Sequence, residues 1–360
     1  MPKTKTVAQP QRQKNISLFH KKVRQPKVDA YKKILYICSQ VNFWSLSPSM
    51  KPHHRTCFLV FVAICIGTLR IVAQDTFHLW PKGAMPNHKE NIVLKDSFAR
   101  ERAFVITDPY VSVFLPSKAE NKHAAVLIIP GGGYVKLAYE ISGFALAKWF
   151  NTMGITACVL FHRLPNQSDV KTSYLAPLQD AQRALRLIRA HAEEWDIRPD
   201  KVGAMGSSAG GHLAACAATI REDWSTCGDS LDALPFQADF SILVSPVIDM
   251  SGSAYENRGS HQALLASDDS EEWQHYFSVH NQVTDDTPPA ILFHAQDDNT
   301  VPSINSLLYY KALKEHQISG ASLHIFPEGA HSISLRDNPG STSLFPLLTE
   351  MWLHDIQVLK

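Results

Sequence analysis

The sequence lacks the marks of a metal protein, a disulfide scaffold or a membrane-spanning chain. It contains no Cys-x-x-Cys pair and no His-Glu-x-x-His, so no metal site is expected. Of its six cysteines, Cys38, Cys57 and Cys65 fall in the first 74 residues. The remaining Cys158, Cys216 and Cys227 are an odd number and cannot complete a disulfide framework. Cys158 lies in a strand-like run and Cys216 in an alanine-rich helix, so both are read as small buried apolar groups. The longest apolar run, Cys57–Leu69, has 13 residues, well short of the roughly 20 that cross a bilayer. The 17 glycines and 21 prolines are ordinary for 360 residues and exclude collagen-like or low-complexity chains.

Basic charge is missing where a nucleic-acid binder needs it. The near-neutral total of +1 conceals a split: residues 1–56 carry twelve Lys/Arg against the single acid Asp29. The rest of the chain holds 23 basic and 33 acidic residues, and an acidic body does not displace the counterions of a phosphate backbone. No nucleic-acid partner is expected.

The basic segment is better read as a leader. Met50-Lys51-Pro52-His53-His54-Arg55 places a start residue and positive charge before the apolar run, and Val72-Ala73-Gln74 follows it. That order fits a signal peptide over 50–74, with 1–49 a non-native or disordered basic extension. Residues 75–360 are then the folded domain of a secreted or periplasmic protein without stable membrane insertion. A basic arm for RNA or anionic lipid, or an uncleaved anchor, are the competing readings of the leader.

From about residue 100, apolar strand runs alternate with helical patterns. Strands are predicted at 111–115, 125–129, 156–161, 201–205, 240–244, 290–294 and 322–326. Helices are predicted over 141–152, 176–195, from 208, over 303–316 and over 342–355. This rhythm predicts an α/β fold with a mostly parallel central sheet covered on both faces. Polar residues 246–285 interrupt it and are read as an insertion over the carboxyl edge of the sheet, where ligands bind in such folds.

The chemistry concentrates at that edge. Gly206-Ser207-Ser208-Ala209-Gly210 is a G-x-S-x-G between strand and helix, which makes Ser208 the candidate nucleophile. A serine hydroxyl needs a base, and the base needs an orienting acid, in the chain order Ser, Asp/Glu, His. Asp298 follows the strand at 290–294, with Asp297 as its alternative; His331 follows the strand at 322–326. His316 and His354 lie on predicted helices and His324 inside a strand, which leaves His331 as the candidate base. For an oxyanion, donors are expected from the Ala209 amide and from Gly132 and Gly133 after the strand at 125–129. A phosphate-binding reading of these glycines fails for want of a following Gly-Lys-Ser/Thr. Tyr134 is a weak candidate for stacking on a sugar ring, with burial in the core as the competing reading.

PGGGY at 130–134, PLQDAQRA at 177–184, GSSAGGHLAA at 206–215, HAQDDNTVP at 294–302 and HIFPEGAH at 324–331 together resemble the α/β-hydrolase superfamily. The match is to secreted bacterial acetyl xylan esterase-like esterases, also labelled endo-xylanase B-like, from about Leu79 to Leu335. The resemblance implies Ser208, Asp298 and His331 as triad, Gly132 and Gly133 in the oxyanion hole, and an acetylated polysaccharide as substrate. No cofactor is implied. Ala295 stands where the family usually has glycine, and Gly329-Ala330-His331-Ser332 replaces Gly-Gly-His-Gly. The xylanase label has no support in a flanking carboxylate pair. A general small-ester hydrolase, or an amidase or formamidase of the same fold, is the alternative.

Overall fold

The computed structural model describes residues 75–360; the expectations for 1–49 and for a signal peptide at 50–74 lie outside the described residues. Ten strands are found there: β1 (Asp75–His78), β2 (Ser97–Ala99), β3 (Arg102–Val105), β4 (Tyr110–Phe114), β5 (Ala125–Ile129), β6 (Thr156–Phe161), β7 (Val202–Ser207), β8 (Ser241–Val244), β9 (Ala290–Ala295) and β10 (Ser322–Phe326). Eight form one sheet in the order β1-β4-β6-β5-β7-β8-β9-β10, and β2 and β3 form a hairpin. β4 runs antiparallel to both neighbours, while every pairing from β6 to β10 is parallel.

The helices are α1 (Ala145–Thr152), α2 (Leu175–Ala190), α3 (Ala209–Thr219), α4 (Arg258–Leu264), α5 (Glu271–Phe277), α6 (Ile304–Glu315) and α7 (Phe345–Asp355). Apolar clusters on either side of the sheet explain why β5 and β6 are unbroken apolar runs: every residue of both is buried. This is the expected α/β-hydrolase architecture. The predicted helix over 176–195 ends earlier, at Ala190, and residues 191–196 continue as turns. The helix over 141–152 begins as a π-turn, Glu140–Phe144, with Ser142 out of helical geometry.

Strand order brings the chemistry together. The chain reverses direction across the sheet at β5, which pairs with β6 on one side and β7 on the other, Ile129 opposite Gly206. The glycine loop after β5 and the serine turn after β7 therefore leave the same edge as immediate neighbours. The loops after β9 and β10 leave that edge too. Residues 246–285 are not merely polar: they carry α4 and α5 and bury Leu264, Leu265, Phe277 and Val279. Among the described residues no helix is long and apolar enough to cross a membrane.

Candidate active site

Ser208 occupies the turn between β7 and α3 at φ +57°, ψ −126°, a conformation that costs a non-glycine residue about 1–3 kcal/mol. The flanking glycines make the turn possible. A Cβ on Gly206 would lie 2.0 Å from the Gly210 carbonyl oxygen, and one on Gly210 would lie 2.2 Å from that of Ile129. The motif is thus a packing requirement at both glycines.

His331, on the loop after β10, sets Nε2 2.8 Å from Ser208 Oγ and Nδ1 2.6 Å from Asp298 Oδ2. A carboxylate only accepts, so Nδ1 carries the proton and Nε2 is left to accept from the serine hydroxyl. The other Asp298 oxygen accepts the amides of Thr300 and Val301, both at 2.9 Å. Burial pushes this carboxyl up, but the hydrogen bonds from His294, His331 and the Val301 amide outweigh it and hold Asp298 well below the usual carboxylate range. The carboxyl is therefore ionised at neutral pH. Asp297, the alternative acid, faces elsewhere: its Oδ1 accepts the Ala330 amide at 2.8 Å and braces the loop that carries His331.

His294 was not singled out from the sequence. Fully buried at the end of β9, it approaches Asp298 Oδ2 at 3.4 Å, with its other ring nitrogen 2.8 Å from Ser306 Oγ. Its spacing four residues before the acid was the available signal.

The loop after β5 presents Gly132 at φ +147° and Gly133 at φ +62°. A Cβ on Gly132 would sit 2.0 Å from the Lys136 carbonyl oxygen, so only glycine fits. Neither the Gly132 nor the Gly133 amide meets an acceptor among the described residues, whereas Gly131 N–H donates to Ser142 Oγ at 3.2 Å. Ala209 opens α3, where an amide has no carbonyl one turn back within the helix. Tyr134 is a correction. It is 2% exposed and its hydroxyl lies 2.7 Å from His212 Nδ1, so it cannot stack on a sugar.

The insertion reaches both walls of the site. Asn257 donates to the Thr300 carbonyl at 2.8 Å, and Ser260 Oγ lies 4.0 Å from the position a Gly133 Cβ would take. Trp273 packs on Tyr174, with ring centroids 4.4 Å apart. His261 is clamped between Glu256 and Asp269, the latter at 2.6 Å. Burial lowers its pKa, but the bonds to Asp269 and Glu256 prevail and raise it above 6.5. The imidazolium thus contributes stability that is complete below pH 6.5 and is lost as pH rises through the higher folded value. Amide protection over 256–269, corrected for intrinsic rates, is expected to fall as pH rises above 6.5. In His261→Gln that pH dependence disappears; a pH-independent difference between variant and parent would refute the clamp.

Cys158 and Cys216 are buried and Cys227 half-buried, with no disulfide among the described residues. Burial pushes the Cys158 and Cys216 thiols well up, as the reading of inert apolar groups requires.

Residues 111–313, more than half of the chain, match the BD-FAE family model. Endo-1,4-beta-xylanase B of Butyrivibrio fibrisolvens is 30% identical over 258 residues, covering 72% of this chain and 40% of its own. Acetylxylan esterase of Xylanibacter ruminicola is 32% identical over 228 residues, covering 61% and 42%. The chain therefore spans well under half the length of these two relatives. Among solved structures, the acetyl ester-xyloside bifunctional hydrolase from Caldicellulosiruptor lactoaceticus superposes with a TM-score of 0.67 at 30% identity, covering 80% of this chain and 98% of that one. The thermophilic esterase Est2 of Thermogutta terrifontis shares the fold, with a TM-score of 0.59 at 24% identity, covering 78% and 97%. The motif resemblance is thus borne out by sequence and by fold, and the chain belongs to the BD-FAE family of α/β-hydrolase proteins.

Proposed function

We propose that the protein is a serine carboxylic ester hydrolase that removes acetyl groups from xylan-type polysaccharide esters. The observation that carries this reading is the Ser208–His331–Asp298 array, at 2.8 and 2.6 Å, beside glycine amides with no partner among the described residues. Ser208 Oγ attacks the acetyl carbonyl carbon as His331 Nε2 takes its proton, and the carbonyl electrons move onto oxygen. The Gly132, Gly133 and Ala209 amides stabilise that oxyanion, each donor being worth about 10²–10³ in rate. The oxyanion then collapses, the carbon–oxygen bond to the sugar breaks, and His331 protonates the departing sugar oxygen, leaving Ser208 acetylated. Water, deprotonated by the same ring, releases acetate and regenerates Ser208. Asp298, held ionised, orients the imidazole and offsets its charge.

The polysaccharide assignment rests on the names of the similar proteins, among them an acetylxylan esterase and an acetyl ester-xyloside hydrolase. With residues 50–74 as a signal peptide, the enzyme meets its substrate outside the cytoplasm. The test is acetate release from acetylated xylan, with Ser208→Ala alongside and the mass of the exported chain measured. Acetate from the parent alone, and a chain beginning near residue 74, are expected. Cleavage of phenyl acetate without acetate from xylan would discard the polysaccharide; formamide cleavage instead would make it an amidase. An intact Met1 on the exported chain would discard the leader.

A further inference from the structure

Tyr134, His212 and Phe277 form a hydrogen-bonded chain that no step of ester cleavage uses. Tyr134 directly follows the two glycines, is buried, and holds φ +61°. His212 lies one turn beyond Ser208 on α3 and is fully buried, with Nδ1 2.7 Å from the tyrosine hydroxyl and Nε2 2.7 Å from the Phe277 carbonyl oxygen. That carbonyl can only accept, so Nε2 carries the ring proton and Nδ1 offers a lone pair. The tyrosine O–H is therefore the donor, and the direction of the whole chain is fixed. Burial pushes His212 down to about 4, which keeps the ring neutral at neutral pH.

Each link comes from a different wall of the site. Tyr134 belongs to the glycine loop, His212 to the helix whose first amide is Ala209, and Phe277 closes α5 of the insertion. The two sets of amide donors are otherwise tied through the β5–β7 ladder, which ends at Ile129 opposite Gly206, and through the close approach of Gly210 to the Ile129 and Pro130 carbonyls. Beyond that point, among the described residues, the Tyr134–His212 bond is the hydrogen bond that joins a side chain of the loop to α3. A phenylalanine would fill the same buried volume; the hydroxyl adds a fixed distance rather than bulk.

We propose that Tyr134 and His212 are positioning residues that set the glycine-loop amides at the height of the Ala209 amide, so that all of them converge on one oxyanion. The inference rests on the ester-hydrolase reading of the site. Misplacing a preorganised group by about 1 Å can cost roughly 10² in rate, so a partly relaxed loop should cost about 10-fold or more.

The test is Tyr134→Phe in the full chain, assayed with an aryl acetate and with a trifluoromethyl ketone, which adds to Ser208 as a charged tetrahedral adduct. Expected are a kcat about 10-fold lower, a KM within about 2-fold, and a parallel loss of affinity for the ketone, with the melting temperature lowered by several degrees at most and the variant fully folded at the assay temperature. In a His212→Asn background Tyr134→Phe should then cost little further in kcat, because both changes remove one bond. Unchanged kcat and ketone affinity would overturn the proposal, as would a loss that appears only in KM or melting temperature. If Tyr134→Phe does not fold, His212→Asn alone is read by the same two measurements. A parent that cleaves no ester overturns the site reading, and this inference with it. An active parent with an unaffected Tyr134→Phe overturns the inference alone.

Discussion

Asp298→Asn is expected to lower kcat on an aryl acetate by about 10⁴, whereas Asp297→Asn should cost less than about 10-fold. The two carboxylates are adjacent in sequence and have different partners. Asp298 takes His331 Nδ1–H on one oxygen and two backbone amides on the other, so its side chain has one geometry available. Asparagine in its place can turn its NH₂ toward His331 Nδ1, which forces the ring proton onto Nε2 and removes the acceptor that Ser208 needs. The geometry survives and the tautomer is wrong. Asp297 holds the His331 loop through the Ala330 amide, and an asparagine oxygen can accept the same bond. Steady-state rates of the two variants, with melting temperatures recorded to show both folded, decide the matter. A larger loss at Asp297 than at Asp298 would move the acid by one residue.

Much of this site was legible because its motifs are packing constraints. Glycine at 206 and 210 is demanded by backbone atoms near 2 Å, so the serine turn writes itself into the sequence. Strand runs such as Ala125–Ile129 and Thr156–Phe161 are apolar on both faces, and their limits were read correctly. Short elements left no such trace: β1, β2 and β3 have three or four residues each, too few for a period to show. The side chains that support the array were equally silent. His294, Ser142 and His212 owe their places to partners 12, 11 and 78 residues away, and a linear pattern does not encode such pairings. The choice between the two readings of Tyr134 stayed open for the same reason. An aromatic beside a glycine loop can face the substrate or the core, and only the histidine four residues beyond Ser208 decides for the core.

Asp180→Asn is expected to lower the melting temperature by about 10 °C without a comparable change in the kcat of the folded enzyme. Asp180 and Arg163 are fully buried, and the pair is where β6, α2 and the segment before β2 meet. The carboxylate accepts Trp80 Nε1 at 2.8 Å, the Arg163 amide at 2.8 Å and the guanidinium at 2.7 Å. Arg163 in turn donates to the Pro86 carbonyl at 2.6 Å. Asparagine preserves shape but leaves the guanidinium as an uncompensated buried charge, a loss of about 3–5 kcal/mol. At roughly 2–4 °C per kcal/mol for a domain of this size, that is a shift on the order of 10 °C. The ion pair itself need not be worth so much, because each partner has given up its hydration to be there. Asp180→Leu combined with Arg163→Met should accordingly recover a large part of the lost stability, although each substitution alone is damaging. Calorimetric melting of the singles and the double measures both effects. If the double is as unstable as the sum of the singles, the hydrogen bonds to Trp80 and to the Arg163 and Pro86 backbone, rather than the stranded charge, hold this junction together.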